Sequence, residues 1–246
     1  MRDWIYGRNA VYEALRARRR QFFRLRIVQG AHEKGRYGQI LQICQQLDIP
    51  LELATRSQLD SLGDGHQGVA LDASGYPYVH QQDILKMAEE HKEAPFLLIL
   101  DTLQDPQNLG TLLRTAEAVG VHGIFLPLRH TATVTPAVVN ASSGASEHLL
   151  ITQANLVQTI QSLKEASIWV IGLDVSPQSK NLDQIHLDGP LALVVGGEAE
   201  GIRPLVRSSC DILLRLPMRG RIEFLNAAVA GSIALYLAWR ARGFTK

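Results

Sequence analysis

The stretch Phe96–Pro127, FLLILDTLQDPQNLGTLLRTAEAVGVHGIFLP, decides the fold. Phe96 to Leu100 is a short apolar run of strand type, Gly110 to Ala118 carries leucines and alanines at helical spacing, and Gly123 to Pro127 is a second apolar run. Strand, helix and strand in that order make a βαβ unit. The turn after the first strand holds Asp101, Gln104, Asp105, Pro106, Gln107, Asn108 and Gly110, and Arg114 follows in the helix. Open α/β sheets place ligands at such carboxyl ends of strands. Spacing alone supports equally the reading of Asp105, Pro106 and Asn108 as plain turn residues and of Arg114 as a solvated helix charge.

Downstream, further apolar runs at His148 to Ile151, Ile168 to Leu173, Leu191 to Val195 and Ile212 to Leu216 alternate with helical stretches. This predicts a mostly parallel sheet covered on both faces. The uncharged run Phe224 to Trp239, rich in Ala and Gly, is short for a membrane span and reads as a buried helix. Upstream, a helix over Gly7 to Arg20, a strand at Phe22 to Val28, a helix at about Tyr37 to Leu47, a strand at Pro50 to Ala54, a short helix after Ser57 and a strand at Gly68 to Asp72 form a compact αβ pattern. The expected organisation is therefore a small N-terminal domain over residues 1–75, a linker over 76–95 containing a helix at Asp83 to His91, and a larger α/β domain over 96–246.

The net charge of +1 conceals an asymmetry: residues 1–36 hold ten Lys/Arg against three acids, whereas residues from 76 onward hold fourteen against sixteen. A basic end on a near-neutral body suits a grip on a polyanion. Arg16, Arg18, Arg19, Arg24 and Arg26 are the candidate contacts to such a polyanion, and a solvated face is the competing reading. In Phe22 to Val28 the apolar Phe23, Leu25 and Ile27 alternate with Arg24 and Arg26, as in a half-buried strand with a basic outer face. Cys44 and Cys210 are far apart and form no C-x-x-C pair, so neither a disulfide framework nor a zinc site is indicated. The arginine-rich start lacks an apolar signal region. A cytoplasmic protein with no metal and no membrane attachment is expected.

Three polar, glycine-containing segments each follow an apolar run: Asp101–Gly110, Gly196–Gly201 (GGEAEG) and Leu216–Asn226 (LPMRGRIEFLN). If they meet at one sheet edge they form a pocket. Neither the dinucleotide fingerprint G-x-G-x-x-G nor the phosphate loop G-x-x-x-x-G-K-[ST] occurs. The eight histidines show no close metal spacing, and His66 in GDGHQG reads as a turn residue.

Together these segments resemble the three motifs of the SpoU family of RNA ribose 2′-O-methyltransferases, within the SPOUT superfamily. The matching stretches are DPQNLGTLLRTAEAVG at 105–120, VVGGEAEGI at 194–202 and LPMRGRIEFLNAAVA at 216–230. Residues 1–75 resemble the small ribosomal protein L30e-like RNA-binding domain fused to members that methylate a guanosine of large-subunit (23S) ribosomal RNA. The resemblance implies a parallel sheet with a C-terminal trefoil knot, which sequence rules alone would not propose. It also implies a homodimer, and S-adenosylmethionine held by Gly196, Gly197, Leu216, Met218 and Leu225. Asn108, Arg114, Glu198 and Asn226 match the family's catalytic positions. The matching arginine has been proposed as a base, but a guanidinium with a pKa above about 12 is better suited to grip phosphate and polarise the hydroxyl.

One position departs from the family pattern. Where the third motif usually reads Ser-Leu-Asn, this chain has Phe224-Leu225-Asn226, so a hydroxyl is exchanged for a ring without hydrogen-bonding capacity. Ribosomal RNA is the expected substrate. The alternatives are a transfer RNA methyltransferase, a methylation-incompetent RNA-binding or assembly factor, and a conventional nucleotide-dependent α/β enzyme, the last disfavoured by the missing fingerprint.

Overall fold

The computed structural model describes residues 2–30, 34–198 and 200–244. In chain order the first elements are β1 (Arg2–Tyr6), α1 (Arg8–Ala17), β2 (Phe22–Val28), α2 (Arg36–Gln46), β3 (Leu51–Ala54), α3 (Arg56–Asp60), β4 (Val69–Ser74) and α4 (Gln81–His91). They are followed by β5 (Phe96–Asp101), α5 (Pro106–Ala118), β6 (Gly123–Pro127), α6 (Pro136–Ala141), β7 (Ile151–Ala154), α7 (Leu156–Glu165) and β8 (Trp169–Leu173). The last are β9 (Lys180–Asn181), β10 (Leu191–Gly196), α8 (Pro204–Ser209), β11 (Ile212–Arg215) and α9 (Ala227–Ala241). The chain forms two compact units, Met1–Pro77 with Thr133–His148, and Tyr78–Ala132 with Leu149–Lys246.

The first unit is built on a four-stranded sheet of order β1-β4-β2-β3, with β4 antiparallel to both neighbours and β3 parallel to β2. Alternation along β2 buries Leu25 and Ile27 and turns Arg24 and Arg26 to the other face. That face is not a free field of cations. Arg24 pairs with Asp72 (3.2 Å) and Glu52 (3.3 Å), and Arg26 pairs with Glu52 (3.1 Å). Helix α1 stops at Ala17, short of the expected Arg20, because Arg18 enters the left-handed region at φ 52°. The turn sends Arg20 inward. Its fully buried guanidinium makes two 2.8 Å bonds to the buried Glu147 and donates to Asp3 (3.1 Å) and the Ser74 carbonyl (2.9 Å). Glu147 belongs to the Thr133–His148 segment, which packs within this unit although its chain neighbours belong to the other.

The second unit contains a seven-stranded, all-parallel sheet of order β7-β6-β5-β10-β8-β11-β9. β5 and β10 lie at its centre, and their residues are buried throughout. From β5 the chain moves outward through α5 to β6 and then β7, while β8, β10 and β11 lie on the other side. The β5/β10 boundary is thus a switch point, the place where open parallel sheets open a crevice. The stretch expected as linker contains α4, whose Ile84 is buried in the core with Leu97, Ile99 and Phe125.

Helix α9 differs from the expected buried helix. Ala228, Gly231, Ala234, Leu235 and Ala238 are buried, but Val229, Ile233 and Tyr236 form an exposed stripe. The small residues serve close packing: a Cβ on Gly231 would lie 2.6 Å from Leu112 Cδ2 of α5. Among the described residues no helix is long and apolar enough to cross a membrane. Strand β7 starts at Ile151 instead of His148, since its pairing with β6 begins at Ile124 opposite Ile151.

Candidate active site

At the carboxyl ends of β8, β10 and β11 lies a cleft of about 620 Å³, lined by Leu173 to Val175, Val195 to Glu198, Glu200, Gly201, Leu214, Leu216, Met218 and Glu223 to Ala227, with Ala230 of α9. Its size suits a small molecule. All five expected cofactor residues, Gly196, Gly197, Leu216, Met218 and Leu225, line it, as do Glu198 and Asn226. Ala199, inside the GGEAEG motif, lies outside the described residues.

The loop after β10 folds back on itself. Gly197 and Gly201 exchange two backbone hydrogen bonds of 3.1 Å, so their chain segments form a short antiparallel bridge. Gly196 has no room for a side chain, because a Cβ would sit 2.1 Å from the Gly201 carbonyl carbon and 2.2 Å from the Ile202 nitrogen. The glycine is required by the loop's own return, whatever ligand approaches it. A buried carboxylate anchors this return. Asp101, at the end of β5, accepts from the backbone N–H of Arg203 (2.8 Å), from its Nε (2.8 Å) and from its Nη2 (2.7 Å). Charge-assisted bonds of this kind are the strong ones.

Asn226 caps α9 by accepting the N–H groups of Ala228 (2.9 Å) and Val229 (3.2 Å) on Oδ1. That fixes its amide orientation, so Nδ2 is the atom that donates to Asn108 Oδ1 at 3.2 Å. Asn108 in turn donates through Nδ2 to Glu198 Oε1. Two helix N-termini and the β10 loop are therefore joined by one directed chain, Asn226 to Asn108 to Glu198. The carboxylate ends the chain beside two helix starts, where negative charge is favoured. Asp105 caps α5 by accepting the Gln107 N–H (2.9 Å), which orients the turn carrying Asn108.

The fourth expected catalytic residue stands apart. Arg114 is exposed on α5, six residues beyond Asn108, and does not line the cleft. Phe224, at the departing motif position, lines the cleft while two thirds of it is exposed. The asparagine–glutamate chain closes without any hydroxyl from that position.

The motif reading missed Leu173, Asp174 and Val175, which line the cleft from the end of β8. Their signal was an apolar run followed by a polar turn, as at the other three strands, but without glycine. Burial raises the pKa of the Asp174 carboxyl, yet hydrogen bonds from Ser176 and Arg207 outweigh it and hold the group below its ordinary value. Asp174, Glu198, Glu200 and Glu223 make the lining rich in carboxylates.

Of the candidate RNA contacts, Arg16 pairs with Glu13 (3.2 Å) and Arg19 donates to Tyr76 Oη (3.3 Å) and the Pro77 carbonyl (3.1 Å). No carboxylate pairs with Arg18 among the described residues. His66 shapes a turn, as its sequence suggested, by accepting the Gly68 N–H on Nδ1 (2.9 Å) while Nε2 meets Asp60 (2.8 Å). His91, Glu93 and His122 cluster closely enough to hold an ion. However, His122 Nδ1 accepts the Phe96 N–H (3.0 Å), which leaves the proton on Nε2 facing Glu93 (3.1 Å) and no lone pair there for a metal. Cys44 and Cys210 are free thiols whose pKa burial pushes up to about 12.

Comparison with known proteins agrees with this arrangement. Residues 4–79 match the RNA 2′-O ribose methyltransferase substrate-binding family, and residues 95–236 match the SpoU rRNA methylase family. The Bacillus subtilis protein YacO, assigned to the TrmH family of tRNA/rRNA methyltransferases, is 41% identical over 244 residues, covering 98% of this chain and 96% of that protein. A Staphylococcus aureus protein given the same family assignment is 37% identical over 240 residues, covering 97% and 96%. Among solved structures, the SpoU methyltransferase AviRb of Streptomyces viridochromogenes in complex with AdoMet superposes with a TM-score of 0.81 at 20% identity, over 99% of this chain and 92% of that one. An rRNA methyltransferase of Sinorhizobium meliloti gives 0.78 at 24% identity, over 97% and 87%. With the match over residues 95–236 alone covering more than half of its length, the chain belongs to the SpoU rRNA methylase family.

Proposed function

We propose that this protein transfers a methyl group from S-adenosylmethionine to a ribose 2′-oxygen of large-subunit ribosomal RNA, on a guanosine. The observation that carries the reading is the carboxylate-lined cleft in which Glu198 and Asn226 are joined through Asn108. Glu198, Glu200 and Glu223, none of them ion-paired among the described residues, attract a cationic ligand to the apolar cleft and repel a phosphate-bearing one, which favours S-adenosylmethionine over NAD or ATP. When bound, the cofactor supplies a methyl group on positively charged sulfur. Val195, Leu216 and Leu225 offer it apolar surface, and the tight Gly196–Gly201 loop keeps side chains out of its way.

Asn108 and Glu198 orient the ribose, with Asn226 fixing the Asn108 amide. Holding both reactants at attack distance supplies about 7 to 11 kcal/mol of the barrier reduction in well-oriented reactions. Arg114 polarises the 2′-hydroxyl or grips the adjoining phosphate, consistent with its exposure on α5. Residues 1–75, which lie within the first unit, are assigned to substrate RNA, with Arg16, Arg18, Arg19, Arg24 and Arg26 on their surface and an L30e-like fold. Residues 96–246 are assigned to catalysis.

Two further features belong to this proposal. β11 follows β10 in the chain yet pairs between β8 and β9, so the chain must return into a gap bounded by earlier strands, which supports a trefoil knot. The exposed apolar stripe on α9 supports a homodimer. The deciding experiment is transfer of labelled methyl from S-adenosylmethionine to unmodified ribosomal and transfer RNA, with the labelled ribose located by digestion. Label at one ribose of ribosomal RNA is expected. Label in transfer RNA alone overturns the substrate assignment, and no label with cofactor and RNA both bound overturns the reaction.

A further inference from the structure

Between β11 and α9, residues 217–224, PMRGRIEF, are exposed throughout. The loop alternates cations with large apolar side chains: Arg219 and Arg221 with Met218, Ile222 and Phe224. Ile222 is 69% and Phe224 67% exposed, a costly state for two neighbouring apolar side chains unless something covers them. Neither arginine has a carboxylate partner, and Phe224 has no ring or cation contact, among the described residues. In the first unit, by contrast, Arg16, Arg20, Arg24 and Arg26 are all held by carboxylates. Two arginines without carboxylate partners thus flank an unpartnered ring beside the catalytic cleft, where Phe224 and Met218 are also lining residues.

We propose that this loop docks a single-stranded segment of the substrate RNA, with one nucleobase stacked on Phe224 and flanking phosphates on Arg219 and Arg221. The inference rests on the reading of the substrate as RNA and deepens it. Single-stranded RNA is recognised by splayed bases stacking on aromatic rings while cations track the backbone. Phe224 is two residues from Asn226, so a base on the ring belongs to the reacting nucleotide or its neighbour. The neighbouring Glu223, Glu200 and Glu198 line the cleft and keep phosphate out of it. This leaves the phosphates to the outward-facing arginines. The exchange of hydroxyl for ring at position 224 thereby gains a function, since the Asn226–Asn108–Glu198 chain needs no hydroxyl.

The test uses the full chain and a fluorescent single-stranded RNA oligonucleotide containing 2-aminopurine. Its binding is titrated at several salt concentrations, S-adenosylmethionine binding is measured by calorimetry, and mass by sedimentation. Phe224→Leu, which keeps apolar bulk and removes the ring face, is expected to weaken RNA binding about 5- to 150-fold. Cofactor affinity and mass stay unchanged, and Phe224→Trp retains tight binding. Replacing Arg219 and Arg221 together by alanine is expected to reduce the slope of log K against log salt by about 1.4, roughly 0.7 for each phosphate no longer neutralised. Unchanged RNA affinity in Phe224→Leu overturns the proposal. So does a loss confined to cofactor affinity, which would place the ring on the cofactor, or a change in mass, which would place it against a second copy. Wild-type protein that binds the oligonucleotide through this loop but transfers no methyl refutes the methyltransferase reading and leaves the loop assignment standing. Turnover with an unchanged KM for RNA in Phe224→Leu does the reverse.

Discussion

Gly196→Ala separates two reasons for a glycine at the head of the β10 loop. If the residue is small only so that a ligand can approach, the substitution leaves the free protein's stability untouched. The structure gives a different reason. The new Cβ would lie 2.1 Å from the Gly201 carbonyl carbon, whereas non-bonded carbons rest at about 3.5 Å or more. The atoms it would strike are backbone atoms of Gly201 and Ile202, so no rotamer change can relieve the overlap and the returning segment must move by about 1.4 Å. Such a shift breaks the two 3.1 Å bonds between Gly197 and Gly201, each worth about 0.5 to 1.5 kcal/mol. Overpacking adds roughly 1 to 3 kcal/mol, for a loss of about 2 to 6 kcal/mol in all. In a unit of this size that is roughly 4 to 24 °C in melting temperature. Calorimetry on the cofactor-free variant makes the measurement, with Gly201→Ala as the comparison. At Gly201 a Cβ meets nothing, but φ is +66°, so about 1 to 2 kcal/mol is expected. A cofactor-free Gly196→Ala protein that melts with the wild type would refute the packing argument and return the glycine to the ligand.

Three further outcomes follow from the geometry. Asn226→Asp keeps the acceptor that caps α9 but removes the Nδ2 donor to Asn108, so melting should hold within about 0.5 kcal/mol while kcat for methyl transfer falls at least tenfold; Asn226→Ala should lose both kcat and about 0.5 to 2 kcal/mol of stability. Glu147→Gln leaves the fully buried Arg20 guanidinium short of its bidentate partner and should cost about 3 to 5 kcal/mol, read as earlier unfolding and proteolysis within the first unit; resistance equal to wild type would show that Asp3 and Ser74 suffice. Burial lowers the pKa of His122 below its ordinary 6.5, against the opposing pull of Glu93. Its unfolded form therefore takes up a proton first as pH falls, so its contribution to stability is complete above about pH 6.5 and declines below it, toward the folded value. His122→Asn should flatten the melting temperature between pH 7.5 and 5.5, and an equally steep profile would exclude His122 as the source.

The βαβ stretch was legible because its two strands are central and buried on both faces, so apolar runs marked them directly: β6 falls at Gly123–Pro127 as read. β2 also falls at Phe22–Val28 as read, but through alternation, with Leu25 and Ile27 buried and Arg24 and Arg26 on the other face. β1 left no such trace, since Arg2 is exposed, Asp3, Trp4 and Tyr6 are partly exposed and Ile5 is its one buried residue. α6 is six residues long and buries only Val138 and Val139, too little for a helical period to show. The three motifs could be picked out as polar turns after apolar runs, and the structure brings their Asn108, Glu198 and Asn226 together. What local pattern could not supply was the strand order, which rests on pairings between residues far apart in sequence. Without that order, nothing placed the β8 turn at Leu173–Val175 beside the β10 and β11 turns.

The charge count shows the same gap between chain and space. Ten cations against three acids in residues 1–36 suggested a basic surface, but further acids that answer them lie elsewhere in the chain: Glu52 and Asp72 for Arg24, Glu52 for Arg26, and Glu147 for Arg20. A guanidinium already held by a carboxylate has spent part of its donor fork and most of its net field, so its release of counterions on meeting RNA is smaller than a simple count implies. Cation number along a sequence is therefore a ceiling on phosphate contacts, and the ceiling drops with each carboxylate the fold brings across. By that measure Arg18 in the first unit, and Arg219 and Arg221 beside the cleft, carry more of the electrostatic attraction to RNA than their share of the sequence suggests.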